Sequence, residues 1–252
     1  MPELGLQGAA IASVIAVSLS LIGFVIYIQT CFPEQAMFAR FWRFDRVATL
    51  AVTRLAMPIS ATALAESGLF AGSAFMMGWL GHLELAAHGI VLQLAAISFM
   101  VHLGLSQAGT VRAGQAFARG DWAAVNRTAA VTMGLSTLAA LIAIFFFLAT
   151  PQMLISAFLD VEDLLAPDIL RIGTLLLIVA AMFQFVDAAQ VVALSLLRGL
   201  QDTKIPMLIA AVSYWLIGLP ISYVLGFAMD YKETGIWLGL VFGLGVAAVL
   251  LW

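Results

Sequence analysis

The chain has 252 residues, 63% of them hydrophobic and only 10% charged, with a net charge of −3 and a mean hydropathy of +1.09. Soluble domains hold roughly 45–50% apolar and about 25% charged residues, so a water-soluble globule is excluded and lipid must cover part of this surface. The charge balance gives no sign of a nucleic-acid partner. Cys31 is the only cysteine, which excludes an internal disulfide and a cysteine metal cluster, and no Gly-x-x-x-x-Gly-Lys-Ser/Thr phosphate loop occurs, which argues against an ATP-driven pump subunit.

A helix that crosses a bilayer needs about 20 mainly apolar residues, and seven stretches meet or approach that length: Gly8–Phe32, Thr53–Leu80, Leu85–Val111, Thr128–Ala149, Ile169–Leu197, Ile205–Met229 and Thr234–Trp252. Turn and charge signals separate them: Pro33-Glu34, Leu80-Gly81-His82, Arg119-Gly120-Asp121, Pro151, Pro167-Asp168, Gly199 and Asp230-Tyr231-Lys232. The runs are too long for barrel strands and do not alternate. The expected fold is an all-α polytopic membrane protein with seven transmembrane helices.

Between the first and second spans, Met37–Val47 mixes Arg40, Arg43 and Arg46 with Phe38, Phe41, Trp42 and Phe44. As a helix this stretch would set aromatics at the interface and arginines among head groups. It suits equally a linker between two helix bundles and a plain positive anchor. Further basic residues fall on the same side: Arg54, then Arg112, Arg119 and Arg127, then Arg198 and Lys204. That side holds nine of the 11 basic residues, against Arg171 and Lys232 on the other, where Glu84, Asp160, Glu162, Asp163 and Asp230 also lie. The positive-inside rule then puts the nine, and the C-terminus, in the cytoplasm. The N-terminus falls outside. "MPELGLQG" has neither a basic n-region nor a small-residue cleavage site, so the expectation is an odd number of helices upstream, with a native start at Met1 and a first helix inserted N-terminus out as the alternative.

Two carboxylates lie deep in the spans. Asp187 is about 16 Å along its helix from Arg198, and Glu66 about 18 Å along its own from Arg54. An acid near the middle of a membrane helix costs about 2.5–3.5 kcal/mol on insertion scales, so these two, at one depth on the second and fifth spans, need a reason. A single buried acid can serve as protonated, hydrogen-bonded glue between helices. A pair at one depth repels when ionised, and a cation or a shared proton relieves that repulsion. His102 is read as packed or cavity-lining and His88 as interfacial. Gln93, Gln184 and Gln190 either line a cavity or bridge helices. Gly235, Gly239 and Gly243 repeat every four residues, the mark of close helix packing.

Several stretches resemble a known family. "RLAMPIS" (Arg54–Ser60), "LELAAHGIVLQ" (Leu83–Gln93), "GLSQAGTVRAGQAFARGD" (Gly104–Asp121), "LRGLQDTKIPM" (Leu197–Met207) and "SYWLIGLPISYVLGF" (Ser213–Phe227) are similar to segments of the multidrug and toxic compound extrusion (MATE) family, in its bacterial NorM-like branch. That family has two six-helix bundles facing a cleft. The resemblance implies that residues 1–32 form the last helix of an N-terminal bundle otherwise missing here, 33–52 the cytoplasmic linker, and 53–252 the C-terminal six-helix bundle. It also implies a secondary efflux antiporter of the bacterial inner membrane, exporting cationic amphipathic compounds in exchange for H⁺ or Na⁺, with no cofactor. Asp187 and Glu66 fall on the family's acidic cation-site positions, with Phe183, Gln184, Gln190, His102 and Gln93 as candidate cavity-lining residues. Sodium-coupled relatives often carry a tyrosine where this chain has Phe183, which weakens the case for a bound Na⁺. His102 stands where the family commonly has proline. A lipid-linked precursor flippase of related topology would call for a more cationic cavity, and no Lys or Arg lies mid-membrane. A non-transporting membrane subunit is the remaining alternative.

Overall fold

In the computed structural model, residues 5–35, 44–159 and 164–252 are described. Phe38, Arg40, Phe41, Trp42 and Arg43 of the basic aromatic stretch, and the acids Asp160, Glu162 and Asp163, lie outside them. The described residues are helical, contain no strand, and include seven helices long and apolar enough to cross a membrane. The chain forms two compact units, Met1–Val52 and Thr53–Trp252.

In the first unit, α1 (Gly5–Cys31) is apolar around its whole circumference. Two of its hydroxyls bond backward to carbonyls of their own helix, Ser20 to Ala16 at 2.8 Å and Thr30 to Ile26 at 2.9 Å, which satisfies them within the span. After a 3₁₀ turn (Pro33–Gln35), α2 (Arg46–Leu80) is capped by Asp45, whose carboxylate accepts from the backbone N–H of Val47 and Ala48 at 2.9 and 3.1 Å.

The second unit takes up the rest of α2 with α3 (His82–Ala118), α4 (Trp122–Ala149), a short α5 (Pro151–Ser156), α6 (Ala166–Gly199), α7 (Lys204–Ala228) and α8 (Lys232–Leu251). Its hub is α6, which packs against α3, α4, α5 and α8 and buries Ile172, Leu176, Leu177, Phe183 and Val192. Side chains turned from the hub, such as Ile97, Leu138, Phe145, Ile178 and Met182, are exposed and suit a lipid-facing surface. The helices α3 and α6 touch backbone to backbone near their basic ends. There Thr110 donates to the Ser195 carbonyl at 2.8 Å, and a Cβ on Gly199 would stand 2.6 Å from the Thr110 carbonyl oxygen.

The glycine stripe of α8 does pack closely. Gly235, Gly239 and Gly243 lie against Leu225, Ser222 and Gly218 of α7, and Ser222 donates to the Ile236 carbonyl at 3.0 Å. In α7 two π-helical turns, Val212–Gly218 and Val224–Ala228, flank Pro220. The missing N–H of that proline breaks the regular ladder there. In contrast, α2 reaches its neighbours through long side chains. Trp215 donates to the Ala65 carbonyl at 3.2 Å, Trp79 meets Phe227, and Phe70 sets its edge on Phe183 of α6 with ring centroids 6.0 Å apart.

His88 is not interfacial. It is buried in the core, edge-on to Trp237 of α8, whose indole N–H donates to His88 Nδ1 at 3.1 Å. Its position near the end of a span suggested a watery setting; the α3–α6–α8 core extends to that level and covers it.

Candidate functional site: an acidic cavity between three helices

The standoff of α2 leaves a cavity of about 500 Å³ between α2, α3 and α6. Each wall follows from the 3.6-residue period. Ala63, Glu66, Ser67 and Phe70 share one face of α2, Leu92, Ala95, Ala96 and Phe99 one face of α3, and Phe183 and Asp187 are one turn apart on α6. The lining is therefore aromatic and small-apolar apart from two carboxyls and one hydroxyl.

Asp187 is 2% exposed, and its Oδ1 has no hydrogen-bond partner among the described residues. Glu66, across the cavity on α2, is only half-buried. The Glu66 charge acts on Asp187, and the Arg198 guanidinium attracts Glu66. A buried, unpaired carboxylate oxygen is an expensive feature in a folded protein. A proton or a bound cation removes that cost, and a second acid nearby makes either more favourable.

Of the other sequence candidates, only Phe183 lies on the cavity wall. Gln184 is turned into the α3–α6 contact, its Nε2 3.4 Å from the Ala95 carbonyl and its Oε1 without a partner among the described residues. Gln190 is buried on the α7 side, where its amide donates to the Tyr214 hydroxyl at 2.6 Å. His102 faces α4 and shares a hydrogen bond with Ser136 through Nδ1 at 2.8 Å. Gln93 is exposed, about 100° around α3 from the Leu92 stripe. Depth on a helix can be read from sequence, but the azimuth belongs to whichever neighbour is there.

Seven of the ten wall residues are not among the sequence candidates, and three of them carry a hydroxyl or an aromatic ring. Ser67, Phe70 and Phe99 all sit at i+1, i+4 or stripe positions that the helical period around Glu66 and along α3 could have marked. Tyr214, away from the wall, is also not among the candidates. It is fully buried, bonds Gln190, and lies within electrostatic reach of Glu66, Asp187 and Arg198. A tyrosine in an aromatic-rich span carries no sequence signal for that role.

Comparison with known proteins gives this geometry a context. The family profile described as MatE matches residues 58–224. A probable multidrug resistance protein NorM of Agrobacterium fabrum is 43% identical over 253 residues, covering 100% of this chain and 54% of its own length. One of the same name from Rhizobium meliloti is 41% identical, with 99% and 54% covered. Among solved structures, the eukaryotic MATE transporter AtDTX14 superposes with a TM-score of 0.84 at 17% identity, over 97% of this chain and 54% of that one. A MATE protein in a bent conformation gives 0.79 at 16%, over 96% and 53%. The chain thus spans about half the length of the curated relatives it matches. A polytopic all-helical fold and a family profile over most of the six-helix unit lead to one conclusion: the chain belongs to the MatE family.

Proposed function

We propose that the complete gene product is a secondary multidrug efflux antiporter of the bacterial inner membrane, in which Asp187 and Glu66 take up the coupling cation. The unpartnered Oδ1 of Asp187, buried in a cavity that Glu66 shares, carries this reading. The bacterial relatives, each named a probable multidrug resistance protein, support the export role. In this proposal residues 53–252 act as one six-helix bundle. Residues 33–52 are its cytoplasmic linker, residues 1–32 belong to a second bundle, and the two bundles rock to alternate access. Cation uptake favours one access state because it removes the carboxylate repulsion there more than in the other.

The exported compounds are cationic and amphipathic. Acids draw in the positive charge, and Phe70, Phe99 and Phe183 accept varied apolar shapes. Between H⁺ and Na⁺ the cavity favours H⁺. Its lining offers oxygen from three side chains, Glu66, Ser67 and Asp187, where a Na⁺ without its water wants more, and Phe183 adds none.

The test is efflux of a fluorescent organic cation from proteoliposomes under an imposed pH or Na⁺ gradient. Wild type should respond to the pH gradient, and Asp187→Asn should abolish gradient-driven efflux while leaving the protein folded. Undiminished efflux in Asp187→Asn would reduce that residue to a hydrogen-bonding role.

A further inference from the structure

A second site lies outside the acidic cavity, between α3 and α4. There a groove of about 360 Å³ is lined by Arg112 and Arg127 at its mouth and by Leu105, Gly109, Val131 and Leu135 below. The geometry points to a binding site for one anionic phospholipid, its phosphate between the two arginines and an acyl chain along the apolar floor.

The first support is the level at which the arginines stand. The α3–α4 connection is tight, with Gly120 at φ +71° and Asp121 accepting from the Ala124 N–H at 2.9 Å, so the two helices run antiparallel from one point. On either side of that turn Phe117 and Trp122 meet edge to face, ring centroids 5.5 Å apart. Tryptophan is enriched at the level of the lipid head groups. From Phe117 to Arg112, and from Trp122 to Arg127, the distance along each helix is about 7.5 Å. The apolar runs stop at Val111 and resume at Thr128, so both arginines stand at one depth, at the hydrocarbon edge and within reach of the phosphates of a bilayer leaflet.

The second support is charge. Neither arginine has a carboxylate partner among the described residues, and both side chains are exposed. Two like charges at the mouth of one groove repel, and an anion between them turns that repulsion into two attractions. Guanidinium forks match a phosphate bidentately, and basic pockets between membrane helices are places where phosphate head groups dock. Third, the groove continues toward the hydrocarbon. Gly109 has no side chain and lies against Thr132, which lowers the floor, while exposed Val131 and Leu135 form an apolar wall. A free anion would have no use for that wall, so the occupant is a lipid. None of this rests on the cation-coupling reading.

The test is native mass spectrometry of the purified chain given phosphatidylglycerol and phosphatidylcholine in equal amounts. One phosphatidylglycerol should be retained by wild type. Retention should fall roughly tenfold or more in Arg112→Gln/Arg127→Gln and stay unchanged in Arg119→Gln, whose residue is exposed outside the groove. Competition by inorganic phosphate alone separates the two sources of the anion: millimolar phosphate should fail to displace the lipid. Should the double variant fail to fold, photoactivatable-acyl phosphatidylglycerol on wild type reads the same site, with crosslinks expected at Leu105, Val131 or Leu135. Equal retention by the double variant, displacement by phosphate alone, or crosslinks only elsewhere would each overturn the assignment.

Discussion

Asp187 shows how far one residue can be read from sequence. Rise per residue is nearly constant in a helix, so its depth, and that of Glu66, follow from the distance to Arg198 and Arg54. The structure brings both to one cavity. Azimuth is a different quantity, fixed by which helices pack on which side, and it separates Phe183 on the wall from Gln184, Gln190 and His102 in helix contacts. The proposed role makes a prediction about coupling. Glu66→Gln should reduce gradient-driven efflux, and Glu66→Gln/Asp187→Asn should be barely worse than Asp187→Asn alone, because residues that act as one unit are non-additive. Efflux rates of the three variants decide it; losses that multiply independently would mean two separate roles. His88 offers a second test, of stability. In Trp237→Phe the His88 Nδ1 loses its donor inside the core, where its Nε2 already has no partner among the described residues. Stranding a buried acceptor costs about 1–3 kcal/mol, to be seen as a lower thermal midpoint in detergent with the helical signal unchanged.

Seven apolar runs fall on seven long helices, yet the ends differ in an informative way. The run Leu85–Val111 lies inside His82–Ala118, and Thr128–Ala149 inside Trp122–Ala149. Hydropathy marks where a helix meets hydrocarbon, while backbone hydrogen bonds carry it on through Gln115 and Arg127 into the head-group layer. Pro151 stands at a break, as its sequence signal says: α4 stops at Ala149. Proline also suits the first turn of a helix, and here it begins the short α5. The π turns of α7 have no pattern in the sequence to announce them. Glycine spacing was legible, and it yields a contrast between two substitutions. A Cβ on Gly239 would collide with the Ser222 backbone, so Gly239→Ala must push α7 and α8 apart, at a cost of roughly 1–3 kcal/mol. A Cβ on Gly134 meets nothing within 4 Å, and Gly134→Ala removes backbone freedom from the interior of α4, so it should be neutral or stabilising by about 0.5–1 kcal/mol. Thermal midpoints of the two variants in one detergent should move in opposite directions, or Gly239→Ala alone should fall. Equal behaviour would mean that the α7–α8 contact is not what the stripe is for.

For the whole molecule, the question is which way it faces. Membrane insertion reads Lys and Arg near span ends, and a basic side chain is held back from translocation far more than an acid is. Nine of the 11 basic residues lie on one side of the seven spans, so opposite insertion would carry most of the positive charge across. This asymmetry supports a cytoplasmic placement for the α3–α4 turn and for the C-terminus. A single helix can report it. With 37 residues, α3 is about 55 Å long, well beyond a hydrocarbon core of about 30 Å, so its two ends must emerge on opposite faces. His82 and Ala118 stand at those ends and both are exposed, and neither substitution to cysteine alters the count of Lys and Arg. The exposed Cys31 is replaced first, by Cys31→Ala. In intact cells making the complete gene product, a membrane-impermeant maleimide should label His82→Cys directly, and Ala118→Cys only after the membrane is permeabilised. Labelling of Ala118→Cys alone in intact cells would invert the topology and place the Arg112–Arg127 groove in the outer leaflet. Labelling of both would mean that α3 does not cross, against both its length and its hydropathy.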